Sequence, residues 1–169
     1  ADITRVSPGY FDVMGVRVLE GRVFDDRDRT DTPLVFMIDE TFGRAHWPGE
    51  SPLGKRLNFG RLGDTESKWM EVVGVVAHVK NYGVDEDSRV ELYLPYLQNS
   101  AGSFTLLVRS EGDPGALAAG LRQAVRAVDP ELPVYAVRTL REIVADRSAQ
   151  RRLAVVLISV FAAVALTLA

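Results

Sequence analysis

Two histidines, two acidic clusters and one glycine-framed turn are the places where this 169-residue chain could do chemistry. It has no cysteine, which removes disulfides, cysteine–zinc sites and thiol nucleophiles. Neither His46 nor His78 has a second ligand at metal-binding spacing, so each reads as a surface or loop-edge residue. The clusters Asp25, Asp26, Asp28, Asp31 and Asp85, Glu86, Asp87 lack the glycine and closing glutamate of a calcium loop and read as solvated loops. Gly49–Arg56 (GESPLGKR) approaches the phosphate-binding pattern G-x-x-x-x-G-K-[ST], but Arg56 stands where a hydroxyl must hold Mg²⁺. The segment also follows a predicted helix and precedes a strand, the reverse of a phosphate loop, and Pro52 removes one N–H from the cradle. It reads as a turn. No G-x-S-x-G and no G-x-G-x-x-G occurs. These residues point away from an enzyme, and no catalytic residue, metal or cofactor is expected. Five aromatics, Phe42, Trp47, Tyr82, Tyr93 and Tyr96, lie near predicted turns. Core packing explains most of them as well as partner contact does, and Trp47, Tyr82 and Tyr96 are the contact candidates.

The elements that must position these residues alternate between short strands and helices. Ile3–Val6 reads as a strand, followed by a short helix with Ser7 as N-cap, Pro8 at its first position and Gly15 as its stop. Arg17–Leu19 is extended, and Phe24–Thr32 is a charged loop. Leu34–Ile38 is a wholly apolar run, the pattern of a strand buried on both faces. Asp39 can cap a helix through His46, which Trp47-Pro48-Gly49 closes. Lys55–Phe59, Met70–Val79, Val90–Pro95, Phe104–Arg109 and Val134–Val137 read as strands. Asp113-Pro114 opens a helix whose Leu117, Leu121, Ala124, Val125 and Val128 form one apolar face. Thr139 and Glu142 match a capping box, and no Gly or Pro follows to break a helix from Leu140 onward.

Composition sets the outer limits. Apolar residues make up 47% and charged residues 25%, as in folded domains, and the net charge of −3 gives no footprint for nucleic acid. The last stretch, Leu153–Ala169, has no charge, Gly or Pro. Seventeen helical residues reach about 25 Å, against roughly 30 Å of hydrocarbon core. Leu153, Val156, Phe161 and Leu166 are spread around its circumference, and the run is expected to begin a membrane span. The chain opens at Ala1-Asp2 without a targeting segment and reads as a piece of a longer protein.

Several segments together resemble one family. Val6–Phe24 (VSPGYFDVMGVRVLEGRVF), Asp39–Leu57 (DETFGRAHWPGESPLGKRL) and Glu71–Lys80 (EVVGVVAHVK) are similar to the periplasmic core domain of MacB-like permeases. Glu91–Gln98 (ELYLPYLQ) and Gly112–Leu140 fit the same domain, and Gln150–Ala169 resembles the opening of an FtsX-like transmembrane domain. The resemblance is nearest to the duplicated permeases common in acidobacteria and their relatives. It implies an α+β, two-lobed periplasmic domain followed by the start of a transmembrane helix. A porter-like βαβ lobe would come from residues 1–31 and 98–139, and a smaller inserted α/β lobe from 32–97. A stalk helix would cover 140–152 and the membrane span 153–169.

The function implied is that of an ABC-transporter permease subunit of the bacterial inner membrane. Its extracytoplasmic domain would transmit ATP-driven conformational change for export or for handling of lipoproteins or peptides. Implied partners are the membrane, a cytoplasmic ATPase subunit or domain, a periplasmic adaptor or lipoprotein, and a second permease half in a dimer or pseudo-dimer. Arg147, Arg151 and Arg152 oppose that sidedness, because basic flanks favour the cytoplasm. A membrane-anchored ligand-binding or sensor module is the alternative, and it would need a concave pocket with convergent polar groups.

Overall fold

The computed structural model describes residues 2–60, 68–79, 90–100 and 102–145. The chain divides into two compact units, Ala1–Val108 and Arg109–Ala169. The first unit is built on a mixed six-stranded sheet with strands β1 (Asp2–Val6), β2 (Val18–Gly21), β3 (Val35–Asp39), β4 (Arg56–Asn58), β5 (Trp69–Val76) and β6 (Glu91–Pro95). Their order is β1-β6-β3-β5-β2, with β4 also on β5. β1 runs parallel to β6 and β3 parallel to β5, while β6 is antiparallel to β3. β3 occupies one side of β5, so β2 and β4 share the other side end to end. Between them the Gly54 N–H donates to the Val72 carbonyl, and the Val72 N–H donates to that of Lys55, both at 2.9 Å.

Alternation of side chains divides the core between the two faces of this sheet. Phe36, Ile38, Leu92 and Leu94 pack on one face with Met70, Val72, Val75 and Phe42. Val35, Met37 and Tyr93 pack on the other with Val6, Phe11, Phe24 and Val76. In β5 the parity flips between Val72 and Val75, where the register with β3 shifts. A bulge of this kind moves every later side chain to the opposite face. All five residues of β3 are buried, as the unbroken apolar run predicts. Each large side chain here stabilises the fold by about 1.5–3 kcal/mol relative to exposure.

Two glycines set the spacing of β2. Gly21 and Gly74 face each other across the β2–β5 pair. A Cβ on Gly21 would meet the Val73 carbonyl oxygen, and its φ of +75° also disfavours any side chain. A Cβ on Gly74 would meet the Arg22 carbonyl and the Met37 side chain. This close approach ties β2 to the sheet.

Helix α1 (Tyr10–Met14) and helix α2 (Glu40–His46) flank the sheet. Gly15 ends α1 in the left-handed conformation, as expected. The cap at its start differs from expectation. Ser7 accepts the Tyr10 N–H through its backbone carbonyl at 3.2 Å, and Gly9, at φ 87°, is the cap residue with no side-chain bond. Ser7-Pro8-Gly9 is therefore a turn leading into the helix.

The boundary expected after residue 31 falls inside this sheet, since β1 and β2 pair with β6 and β5. Hydrogen-bonded ladders, not chain order, group these strands. Phe104–Arg109 and Val134–Val137, expected as strands, are not strands in the structure. They have apolar residues, but Phe104, Leu106 and Val108 are exposed, and Ala136 sits at φ 54°, outside the extended region. A strand depends on its ladder partner, and neither segment has one among the described residues.

In the second unit, helix α3 (Pro114–Val128) starts as expected, with the Asp113 side chain accepting the Gly115 N–H and Pro114 in the first turn. The capping box also forms. The Thr139 N–H donates to Glu142 at 2.7 Å, and the Glu142 N–H donates to the Thr139 hydroxyl at 3.1 Å. Residues 140–145 are helical. The rest of the expected stalk, the arginine flank, the second acidic cluster and the apolar run with Leu153, Val156, Phe161 and Leu166 lie outside the described residues. Among those described, no helix is long and apolar enough to cross a membrane.

Candidate functional site

Two polar constructions stand out in the first unit, one inside it and one on its surface. The inner one lies at one end of the face that carries Met37 and Tyr93. Asp39 follows an apolar strand and must turn the chain into α2. Its Oδ1 accepts the Phe42 N–H at 2.7 Å, the N-cap bond expected of it. Its Oδ2 accepts the Glu91 N–H at 3.1 Å and meets His78 Nδ1 at 2.6 Å. Glu91 Oε1 accepts the Thr4 hydroxyl at 3.0 Å, and Oε2 accepts the Tyr93 hydroxyl at 2.7 Å. Asp39 is fully buried and Glu91 nearly so.

Burial and the neighbouring Glu91 carboxylate both raise the Tyr93 phenol far above its ordinary value, and the same two causes raise Tyr10. Tyr93 thus stays a proton donor. All four carboxylate oxygens of Asp39 and Glu91 accept bonds from the fold itself. The cluster joins β1, β6, β3 and the residue beyond β5 into one network. Buried polar groups satisfied this fully specify an arrangement of strands. They leave no oxygen idle for a substrate.

The network was missed in the sequence, where His78 reads as a loop-edge residue. Its partner, Asp39, is 39 positions away. A Glu-x-Tyr alternation inside the buried run of β6 was the available signal. His46 fits its expectation better. It ends α2, stacks on Phe42 with ring centroids 4.0 Å apart, and bonds the Phe42 carbonyl oxygen through Nδ1 at 3.0 Å.

The first acidic cluster is only partly solvated. Asp28 is 3% exposed and takes a two-pronged bond from Arg22, at 2.7 and 2.8 Å. Burial alone would raise the Asp28 pKa, but the Arg22 guanidinium overrides burial and holds it below the usual carboxylate range. Bonds from the Arg27 side chain and backbone hold Asp25 well below that range too. The cluster is a lock on the 22–32 loop. Among the described residues no group of His, Asp and Glu is arranged to hold a metal ion.

The aromatics separate. Phe42 and Tyr93 are core residues, at 7% and 1% exposure. Trp47 is half-buried, edge-on to Phe42 with centroids 6.0 Å apart. Tyr96 is also half-buried, but it follows β6 and is bonded to Val6 of β1, away from Trp47 in the sheet order. Tyr82 lies outside the described residues. Among the described residues, Trp47 lies on the α2 side of the sheet and Tyr96 beside β1.

Trp47 instead lines the surface construction, an open groove of about 210 Å³. Its walls are β2, α2 and the 49–52 turn, and its lining includes Leu19, Glu20, Glu40, Gly43 and Glu50. Gly49–Arg56, the near-match to a phosphate loop, is this turn, with Gly49 and Gly54 both at positive φ. The groove therefore presents three carboxylates, an indole and the Arg44 guanidinium, with acidic groups in excess, unlike a phosphate cradle.

Comparison with known proteins gives a consistent result. Residues 1–128 match the family described as the MacB-like periplasmic core domain. The macrolide export ATP-binding/permease protein MacB of Aggregatibacter actinomycetemcomitans is 30% identical over 96 residues, 57% of this chain and 14% of that protein. The probable syringafactin export ATP-binding/permease protein SyfD of Pseudomonas syringae pv. tomato is 31% identical over 103 residues, 60% of this chain and 14% of its own. The chain thus spans about a seventh of the length of these curated relatives. Among solved structures, the periplasmic region of MacB from Actinobacillus actinomycetemcomitans superposes with a TM-score of 0.52 at 22% identity, covering 75% of this chain and 56% of that one. That likeness concerns the fold.

Proposed function

The chain belongs to the MacB-like periplasmic core domain family, and from that premise we propose that it is the extracytoplasmic domain of an ABC-transporter permease of the bacterial inner membrane. The observation that carries this reading is the family match across residues 1–128, followed in the same chain by the uncharged apolar run from Leu153. The domain transmits conformational change driven by ATP hydrolysis on the other side of the bilayer, and it performs no bond-making step itself. Export is the direction in keeping with the names of its relatives. A cytoplasmic ATPase subunit or domain supplies the energy. A periplasmic adaptor or lipoprotein receives the motion, and a second permease half completes a dimer or pseudo-dimer.

In this proposal residues 140–152, which follow the Thr139–Glu142 capping box, serve as the stalk and 153–169 as the start of the span. A stiff connection of this kind carries displacement where a flexible one absorbs it. The test is a pair of measurements on the full-length protein. A topology reporter in the Asp85–Asp87 segment is expected on the extracytoplasmic side, and a cytoplasmic signal would reject the assignment. Flexible Gly-Ser residues inserted after Ala149 are expected to leave ATP hydrolysis running while export falls. Undiminished export in that variant would reject the transmission role.

A further inference from the structure

The surface groove has a shape and a charge that point to one kind of occupant. Strand β2 ends the sheet, so its outer backbone row has no strand partner among the described residues. All four of its residues are exposed, including Val18 at 39% and Leu19 at 43%. An apolar, uncovered edge strand is a template for pairing with another extended chain. The register of β2 against β5 is irregular between Val18 and Glu20. Consecutive residues Leu19 and Glu20 both line the groove, whereas an unbroken strand would send them to opposite faces. The irregularity thus aims an apolar and an acidic side chain into one place, beside the half-buried Trp47.

The charges in the groove are unevenly satisfied. Glu40 is paired at 3.1 Å with Arg44, which also lines the groove, and Glu50 is paired with Lys55 at 2.7 Å. Glu20 receives only the Ser51 hydroxyl, at 2.8 Å, and among the described residues it has no cationic partner. The complement of this surface is a cation held between apolar residues on an extended backbone. The indole of Trp47 adds to its attraction for a cation.

We propose that this groove docks an extended basic segment of a partner protein, which adds to the sheet along β2 and places a Lys or Arg side chain at Glu20. The proposal rests on reading the domain as the partner-engaging part of a permease, and it names the chemistry of the partner segment. Leu19 and Trp47 take the apolar side chains that flank the cation. Main-chain pairing supplies affinity, and the Glu20 charge sets register and selectivity.

The test uses the 169-residue chain in mild detergent and a fluorescent octapeptide of alternating valine and arginine, with the valine–glutamate peptide as counterpart. Anisotropy is expected to show binding of the arginine peptide alone, weakening as salt rises from about 50 to about 200 mM. Glu20→Gln should weaken it about three- to fivefold and Glu20→Arg about tenfold or more. Leu19→Arg, which removes the apolar contact and adds a like charge, should weaken it comparably. Glu131→Gln, the same charge change in the second unit, should stay within about twofold. Circular dichroism confirms that each variant is folded. Equal binding of the glutamate peptide, equal weakening by Glu131→Gln, or no binding at all overturns the proposal. So does sedimentation showing a dimer that Glu20→Arg dissolves, because a second copy would then cover the groove. The assay involves neither ATP nor transport, so its failure rejects the groove and leaves the permease reading to its own topology test.

Discussion

The sheet of the first unit and the α3 helix of the second carry equally clear apolar patterns, yet their side chains end in different surroundings. In β3 every residue is buried, and Phe36, Met37 and Ile38 are completely so. In α3 the apolar positions recur at helical spacing, and no residue is buried. Val128 is 88% exposed and Leu117 37%. Periodicity is a local property that selects helix or strand. Burial requires a second surface, and its energy appears only where that surface is present. The sheet provides one on each face, because strands from distant parts of the chain stack into it. What the described residues show of α3 is its Asp113 cap and a helix with no buried residue.

That contrast can be broken or sharpened by substitution. The largest effect is expected for Phe36→Ala, which empties a completely buried site and should cost about 3–5 kcal/mol in denaturant unfolding. Next is Asp39→Ala. It removes the α2 cap and strips acceptors from the Glu91 N–H and His78, for a loss of about 2–3 kcal/mol by the same measurement.

Arg22→Gln comes third, at about 1–2 kcal/mol. That is below the usual figure for breaking a buried pair, because the Arg22 side chain is 38% exposed and screened by solvent. This variant also has a pH signature. The Asp28 pKa is held below its ordinary 3.8, so the pair stabilises the fold above that value and the contribution vanishes as pH falls through the folded-state value. Acid titration of stability should therefore be flatter below about pH 4 in Arg22→Gln than in the wild type.

The smallest effect is expected for Val128→Asp, within about 0.5 kcal/mol. A loss there comparable to that of Phe36→Ala would show that α3 has a covering surface and would erase the contrast between the two units.

Much of this molecule is legible from residues close together in the chain. The helix over Glu40–His46 with Asp39 as cap, the Asp113-Pro114 start of α3, the Thr139–Glu142 box and the buried run of β3 all follow from rules that act over a few positions. The misreadings have a common cause. Phe104–Arg109 and Val134–Val137 have strand-like composition and no ladder partner among the described residues. Ser7 has the chemistry of a cap, but Gly9 takes the position. Each outcome was settled by what lay opposite in space.

The candidate surfaces divide in the same way. Trp47 could be singled out by type, but the residues that give it meaning could not, since Glu20 comes from β2 and reaches the groove through an irregular register with β5. The inner network is further from view. Thr4 and Glu91 are separated by 87 positions, and Asp39 and Glu91 by 52. Residue types alone specify the local elements, the lack of thiol chemistry and the family resemblance. Which carboxylates are buried and which strand is left at the sheet edge were decided only by tertiary structure. Pairing and desolvation depend on groups that meet across the sheet, and no local pattern encodes their partners.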